Sequence, residues 1–185
     1  MSERRTSRAR GPRRRVLHAP WRIEYILGPK DQGCFFCAAG KLRADDEAGW
    51  RRMLLLYRNP QALVIMNRYP YIGGHLLVAP RRHTADLAGL SAAESRSLWE
   101  LTRRCQRLLK ETFAPQGFNL GMNLGRGAGA GVEEHLHMHV LPRWIGDTNF
   151  MPIVANTHSI PIALDAVWDA LRPAFAKRRR PGARA

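Results

Sequence analysis

The chain has 185 residues, 45% hydrophobic and 24% charged, which supplies one sizeable core and favours one domain over two. Its apolar runs, such as Met53-Leu54-Leu55-Leu56 and Leu76-Leu77-Val78-Ala79, are far too short to span a bilayer, and residues 1–15 hold seven Arg with nothing like a secretory apolar segment. The expectation is a cytoplasmic protein with no membrane partner.

The formal net charge of +15 is concentrated at the two ends. Residues 1–15 carry +6 and residues 176–185 carry +5, leaving +4 for everything between. The composition of both ends reads as disordered basic tails around a single domain of residues 16–175. A mitochondrial transit peptide is the weaker reading of residues 1–15, because the apolar face of an amphipathic helix is missing. Neither tail has aromatic residues for base stacking, so solvated arms, or weak non-specific contact with RNA, are the readings that remain. Three cysteines, Cys34, Cys37 and Cys105, are too few and too odd in number for a disulfide framework and imply a reducing compartment.

In chain order, Tyr25-Ile26-Leu27 reads as a short packed element. The turn chemistry of Gly28-Pro29 and Asp31-Gln32-Gly33 then leads into Cys34-Phe35-Phe36-Cys37. Ala62 to Met66 reads as a buried strand, residues 69–74 as a turn, and His75 to Ala79 as the partner strand of a hairpin. Ser91 and Glu94 form a capping-box pattern ahead of Leu98, Leu101, Cys105 and Leu108, whose spacing predicts a helix over residues 92–112 with Cys105 in the core. Phe118 to Leu124 and His135 to Leu141 read as two further strands. Pro161 opens a last helix with Leu164, Val167, Trp168 and Leu171 on its apolar face, and Pro173 ends it. The pattern is α+β, built on an antiparallel sheet.

His135-Leu136-His137-Met138-His139 is the most informative stretch. In a strand the three imidazoles share one face, and Leu136, Met138 and Val140 share the other, so burying the apolar set lines up three histidines on a surface or cleft. Gly125-Arg126-Gly127-Ala128-Gly129-Ala130-Gly131 precedes them. Backbone N–H groups of such a loop can converge on phosphate oxygens, although a flexible connector fits the composition as well. No Lys-Ser/Thr follows, so it is not a Walker loop, and no helix follows, so it is not a dinucleotide fingerprint. A phosphate cradle feeding nucleophilic imidazoles predicts phosphoryl or nucleotidyl transfer. Cys34-x-x-Cys37 by itself fits a redox pair, half of a metal site or two buried thiols.

His135-Leu136-His137-Met138-His139-Val140-Leu141-Pro142-Arg143 resembles the signature of the histidine triad superfamily. The likeness extends to Asn67-Arg68-Tyr69-Pro70, to Gly74-His75-Leu76-Leu77-Val78-Ala79-Pro80 and to Asn123-Leu124-Gly125. Trp144, Gly146, Asp147, Asn149 and Phe150 resemble the bacterial diadenosine tetraphosphate phosphorylase and hydrolase branch. The resemblance implies an α+β fold with an antiparallel sheet of about five strands, a long helix and a C-terminal helix, and a homodimer. It implies that His137 attacks an α-phosphorus to form a nucleotidyl-histidine intermediate while His139 and the loop amides stabilise phosphate charge. Substrate contacts are implied at Asn67 (ribose), His75 (support), Asn123, Gly125, Gly129 and Gly131 (phosphates), and Phe35 and Phe36 (base).

In zinc-bearing branches, including galactose-1-phosphate uridylyltransferases, a CxxC pair is joined by two histidines. The implied set here is Cys34, Cys37, His83 and His135, a closed and therefore structural Zn²⁺ site. The loop departs from the common family pattern: Ala128-Gly129-Ala130-Gly131-Val132-Glu133-Glu134 is one residue longer and lacks the usual Gln and hydroxyl. Arg126 could bind distal phosphates in their place or be a solvated surface residue. The expected activity is cleavage of dinucleoside polyphosphates by hydrolysis or phosphorolysis. The alternatives are a nucleoside phosphoramidase or hydrolase of adenylylated small molecules, and a nucleotide-sensing or RNA-associated binding module.

Overall fold

The computed structural model describes residues 33–147 and 163–177. Residues 1–15 and 178–185, the segment around Tyr25, Asn149, Phe150 and Pro161 therefore lie outside the described residues, whereas Ala176, expected in the disordered C-terminal tail, is the last residue of the final helix. The first elements are a short helix α1 (Phe35–Lys41) and a second short helix α2 (Glu47–Arg52). Strands β1 (Leu55–Arg58), β2 (Ala62–Met66) and β3 (Leu76–Pro80) follow, then the long helix α3 (Ala92–Phe113). Strands β4 (Gly117–Gly121) and β5 (Met138–Arg143) complete the sheet, and helix α4 (Leu164–Ala176) closes the order. The five strands run β1-β2-β3-β5-β4, and every neighbouring pair is antiparallel.

The β2–β3 hairpin turns at Gly74. Its φ is +78°, and a Cβ there would come within 3.2 Å of Leu109 and Pro142, so the turn requires glycine. Every residue of β2 and β3 is buried, which places both faces of the central strands under cover. Helix α3 packs across β2, β3 and β5, while α4 packs on β1 and α3. The Ser91 hydroxyl accepts from the Glu94 N–H and the Glu94 carboxylate accepts from the Ser91 N–H, so the predicted capping box sets the start of α3. Cys105 is fully buried in the core, and burial drives its thiol far up, consistent with a packing role.

Four other expectations need correction. The fourth strand stops at Gly121 rather than Leu124, because the chain leaves the ladder where its register partner is His139. The triad strand begins at Met138 rather than His135, because Leu136 donates its N–H to Thr84 O instead of joining the β3 ladder. Pro173 does not end α4. The helix continues to Ala176, which seats the fully buried Phe175 against Tyr57 with ring centroids 6.1 Å apart. Burial of that ring outweighs the one helical hydrogen bond a proline removes. The three imidazoles, expected on a surface or cleft, are 0%, 5% and 9% exposed at His135, His137 and His139, because α1 and the β2–β3 turn cover them.

Candidate active site and metal cluster

The register defines the site. Leu77 lies opposite His139 and Ile65 opposite Leu77, so His139, His75 and Asn67 emerge from the same face of three adjacent strands. Helix α1 rises beside them. Phe36 is fully buried, with its ring centroid 4.9 Å from His135 and 5.2 Å from His137. Phe35 lies against Phe36 at 4.1 Å and stays 37% exposed, so of this pair only Phe35 offers an open aromatic face.

Each imidazole has a tautomer dictated by its partners. His135 Nε2 is 2.8 Å from the Pro80 carbonyl, an obligate acceptor, so Nε2 carries the proton and Nδ1 keeps its lone pair. That Nδ1 lies 3.1 Å from Cys34 Sγ, 3.6 Å from Cys37 Sγ and 3.2 Å from His83 Nδ1, with Cys37 Sγ 3.4 Å from His83 Nδ1. All four atoms lie within 4.8 Å of one another. With zinc bonds of about 2.3 Å to sulfur and about 2.0 Å to nitrogen, a tetrahedron has edges of about 3.3 Å (N–N) and about 3.5 Å (N–S), close to the four separations just given. The hydrogen bond to Pro80 orients the His135 lone pair toward the cluster. Burial first, then the neighbouring Cys34, pushes the Cys37 thiol up, the direction a coordinated cation reverses. The four residues named from the sequence are thus brought together, and they could hold a metal.

His137 is arranged in the opposite sense. Its Nδ1 lies 2.8 Å from the His135 carbonyl, so Nδ1 carries the proton and Nε2 presents a lone pair. Burial holds the ring below the ordinary histidine range, and the bond to that carbonyl opposes the shift.

His139 is set by a relay. The Tyr71 N–H donates to His75 Nδ1 at 3.2 Å, and Asn67 Nδ2 donates to the same atom at 3.1 Å. The Tyr69 N–H donates to Asn67 Oδ1, which fixes the amide orientation. His75 must therefore donate through Nε2 to His139 Nδ1 at 2.9 Å. The His139 proton is left on Nε2, a buried atom without a hydrogen-bond partner among the described residues. Burial pushes His75 down to about 3 and His139 down to about 4, each reinforced by neighbouring histidines. A nucleophilic lone pair on His137 thus stands beside an unsatisfied N–H on His139, with ring centroids 4.9 Å apart. That pairing suits attack on an electrophile that develops negative charge.

Of the expected substrate contacts, Asn67, His75 and Phe36 are brought to the imidazoles. Gly125 and Gly129 adopt φ of +75° and +78° on either side of a 3₁₀ turn, Arg126–Ala128, on the exposed loop that leads back to His135. Asn123 lies just beyond β4, at the start of that loop. Sequence reasoning missed Tyr71. Its ring stacks on His139 at 6.0 Å and 16° and tilts over His75 at 5.0 Å, while 52% of the residue remains exposed. Tyr71 stands in a Tyr-Pro-Tyr turn four residues before His75, and an aromatic there is the only signal the sequence offered.

A HIT domain model matches residues 52–144, half of the chain. The chain belongs to the HIT family. This HIT domain is 42% identical over 116 residues to an AP-4-A phosphorylase of Mycobacterium tuberculosis, a match covering 63% of this chain and 57% of that protein. It is 32% identical over 89 residues to the asymmetrical bis(5'-nucleosyl)-tetraphosphatase of Schizosaccharomyces pombe, covering 48% of each. The match therefore spans less than two thirds of either relative's length. A crystal structure of a Zn-bound histidine triad family protein from Mycobacterium smegmatis is similar at a TM-score of 0.58 and 27% identity, covering 78% of this chain and 94% of that one.

Proposed function

We propose that this HIT domain cleaves dinucleoside polyphosphates by nucleotidyl transfer through His137. The carrying observation is the opposed pair of tautomers: a lone pair on His137 Nε2, imposed by the His135 carbonyl, beside an unsatisfied N–H on His139 Nε2. The names of the mycobacterial and yeast relatives supply the substrate class.

In the first step His137 Nε2 attacks the α-phosphorus, an N–P bond forms, and the P–O bond to the distal phosphate chain breaks with its electrons on the departing oxygen. His139 Nε2–H donates to a non-bridging oxygen as charge builds. The His135 carbonyl holds the Nδ1 proton and stabilises the positive charge that develops on the substituted imidazole. In the second step water or inorganic phosphate attacks the same phosphorus and the N–P bond breaks, returning the lone pair to His137; an attacking water releases its proton to solvent. Asn67 would position the ribose, Phe35 and Phe36 the base, and Asn123 with the amides of Gly125, Gly129 and Gly131 the phosphates, with His75 supporting His139. Cys34, Cys37, His83 and His135 would hold Zn²⁺. A four-ligand zinc supplies no open coordination position, only a rigid tie between α1, the segment after β3 and the start of the triad.

The test is product analysis with diadenosine tetraphosphate in the presence and absence of inorganic phosphate. ADP plus ATP appearing only with phosphate identifies phosphorolysis, and AMP plus ATP under both conditions identifies hydrolysis. No cleavage in either condition contradicts the proposal.

A further inference from the structure

The imidazole face has no positive charge of its own. The imidazoles of His75, His137 and His139 are all buried, and His75 and His139 each accept a hydrogen bond at Nδ1, which keeps both rings neutral. A polyphosphate, by contrast, brings negative charge on every phosphate. The arginines on neighbouring elements make their hydrogen bonds away from the imidazoles. Arg58 and Arg81 both donate to the Gly40 carbonyl, Arg68 to the Arg52 carbonyl, Arg82 to Glu94, and Arg143 to Asp147 and Asn119.

Arg126 is placed differently. β4 ends at Gly121 opposite His139, and the chain returns to the triad at His135, so the loop between them starts and finishes beside the imidazoles. Arg126 opens the 3₁₀ turn of that loop, with its side chain 90% exposed. Its Nε donates to Glu133 Oε1 at 3.1 Å, and its terminal amino groups have no hydrogen-bond partner among the described residues. Glu133 stands two residues before His135, so this ion pair ties the turn back toward the triad.

We propose that Arg126 is a specificity-determining residue that binds the distal phosphates of the substrate, the ones that depart with the leaving group. This rests on the nucleotidyl-transfer reading and assigns which part of the substrate is recognised by charge. Glu133 holds the guanidinium by one edge and leaves its two terminal amino groups to grip phosphate oxygens in a bidentate fashion. The loop has no Lys, Ser, Thr or Gln that would do this instead. An exposed ion pair such as Arg126–Glu133 is weak and reorients readily toward a multiply charged ligand.

The experiment compares wild type, Arg126→Ala and Arg126→Lys on two substrates. One is diadenosine tetraphosphate, and the other is a p-nitrophenyl ester of AMP, whose leaving group has no phosphate. For Arg126→Ala, kcat/KM on the tetraphosphate falls about tenfold to a hundredfold, the range of a lost charge-assisted pair of hydrogen bonds. The fall on the ester is much smaller. Arg126→Lys recovers part of the loss, and the decline of kcat/KM with added salt on the tetraphosphate is shallower for Arg126→Ala than for wild type. Equal losses on both substrates, or no loss on either, overturn the inference. A wild type that cleaves the ester but not the tetraphosphate also overturns it and leaves nucleotidyl transfer standing. A wild type that cleaves neither overturns the reading on which it rests.

Discussion

His135 and His139 stand four residues apart on one segment and are both buried, yet they are prepared for different work. At His135 every polar atom of the ring has an assignment: Nε2–H goes to Pro80 O, and Nδ1 faces two sulfurs and a second imidazole. At His139 the accounting leaves one donor over, because the relay from Tyr71 through His75 fills Nδ1 and nothing among the described residues meets Nε2. A buried polar atom left unpaired is costly, and under the proposed function a phosphate oxygen of the substrate is what meets it. His137 joins the two ends, taking its tautomer from the His135 carbonyl and lying beside the His139 ring. The hydrogen bonds thus set the two ends of one histidine signature apart, and under the proposed function they become an anchoring end and a reacting end.

The largest test of that division is His137→Ala. Loss of the nucleophile lowers turnover by about 10⁴-fold or more, while bound zinc stays at one per chain by metal analysis. His139→Ala should lower kcat on diadenosine tetraphosphate by about 10²- to 10³-fold with KM little changed, the signature of a donor that acts as charge develops. Steady-state kinetics that showed a KM effect alone would move His139 to ground-state binding.

Cys37→Ser addresses the anchoring end. Zinc content falls well below one per chain, and thermal unfolding shifts down by roughly 5 °C or more as the tie between α1 and the triad is lost. Full metal occupancy in that variant would contradict the ligand set.

The pH dependence of stability comes next. His75 and His139 stay neutral in the fold, down to about 3 and about 4, while in the unfolded chain they take up protons near 6.5. The unfolded state therefore binds more protons as pH drops below 6.5, and stability falls from there toward pH 3. For His75 the slope approaches about 1.4 kcal/mol per pH unit. Glu94, pulled down to about 2 chiefly by Arg82, adds its own loss only at lower pH, so urea titrations between pH 6.5 and 5 report the histidines. Stability independent of pH in that window would contradict the buried relay. The smallest effect is at Tyr71. Tyr71→Ala removes the ring over His139 and lowers kcat/KM about twofold to tenfold, whereas Tyr71→Phe keeps the ring and stays near wild type.

Much of this division was legible in the residues. The capping box of α3, the β2–β3 hairpin and the four-residue metal cluster needed only spacing and family likeness, because each depends on side chains at fixed local offsets or in a distinctive motif. β1, α1 and α2 were not legible. Leu55 and Leu56 lie in an apolar run without alternation, and α1 holds seven residues, too few for a helical period to stand out. The start of β5 was misjudged for a related reason. Strict alternation over His135–Leu141 describes a ladder, but Thr84 captures the Leu136 N–H and delays the ladder to Met138. Tyr71 and the His139 N–H that no described residue meets were invisible for a stronger reason: they arise from contacts across three strands, which no local pattern encodes.

The central claim is that His137 alone of the three imidazoles forms the covalent bond to the nucleotide. Rapid acid-free quenching of wild type during turnover of diadenosine tetraphosphate, followed by peptide mass spectrometry, tests it directly. The account predicts an adenylyl group on His137 that is absent from His135 and His139. Turnover with no adduct at any histidine, or an adduct on His139, would contradict it.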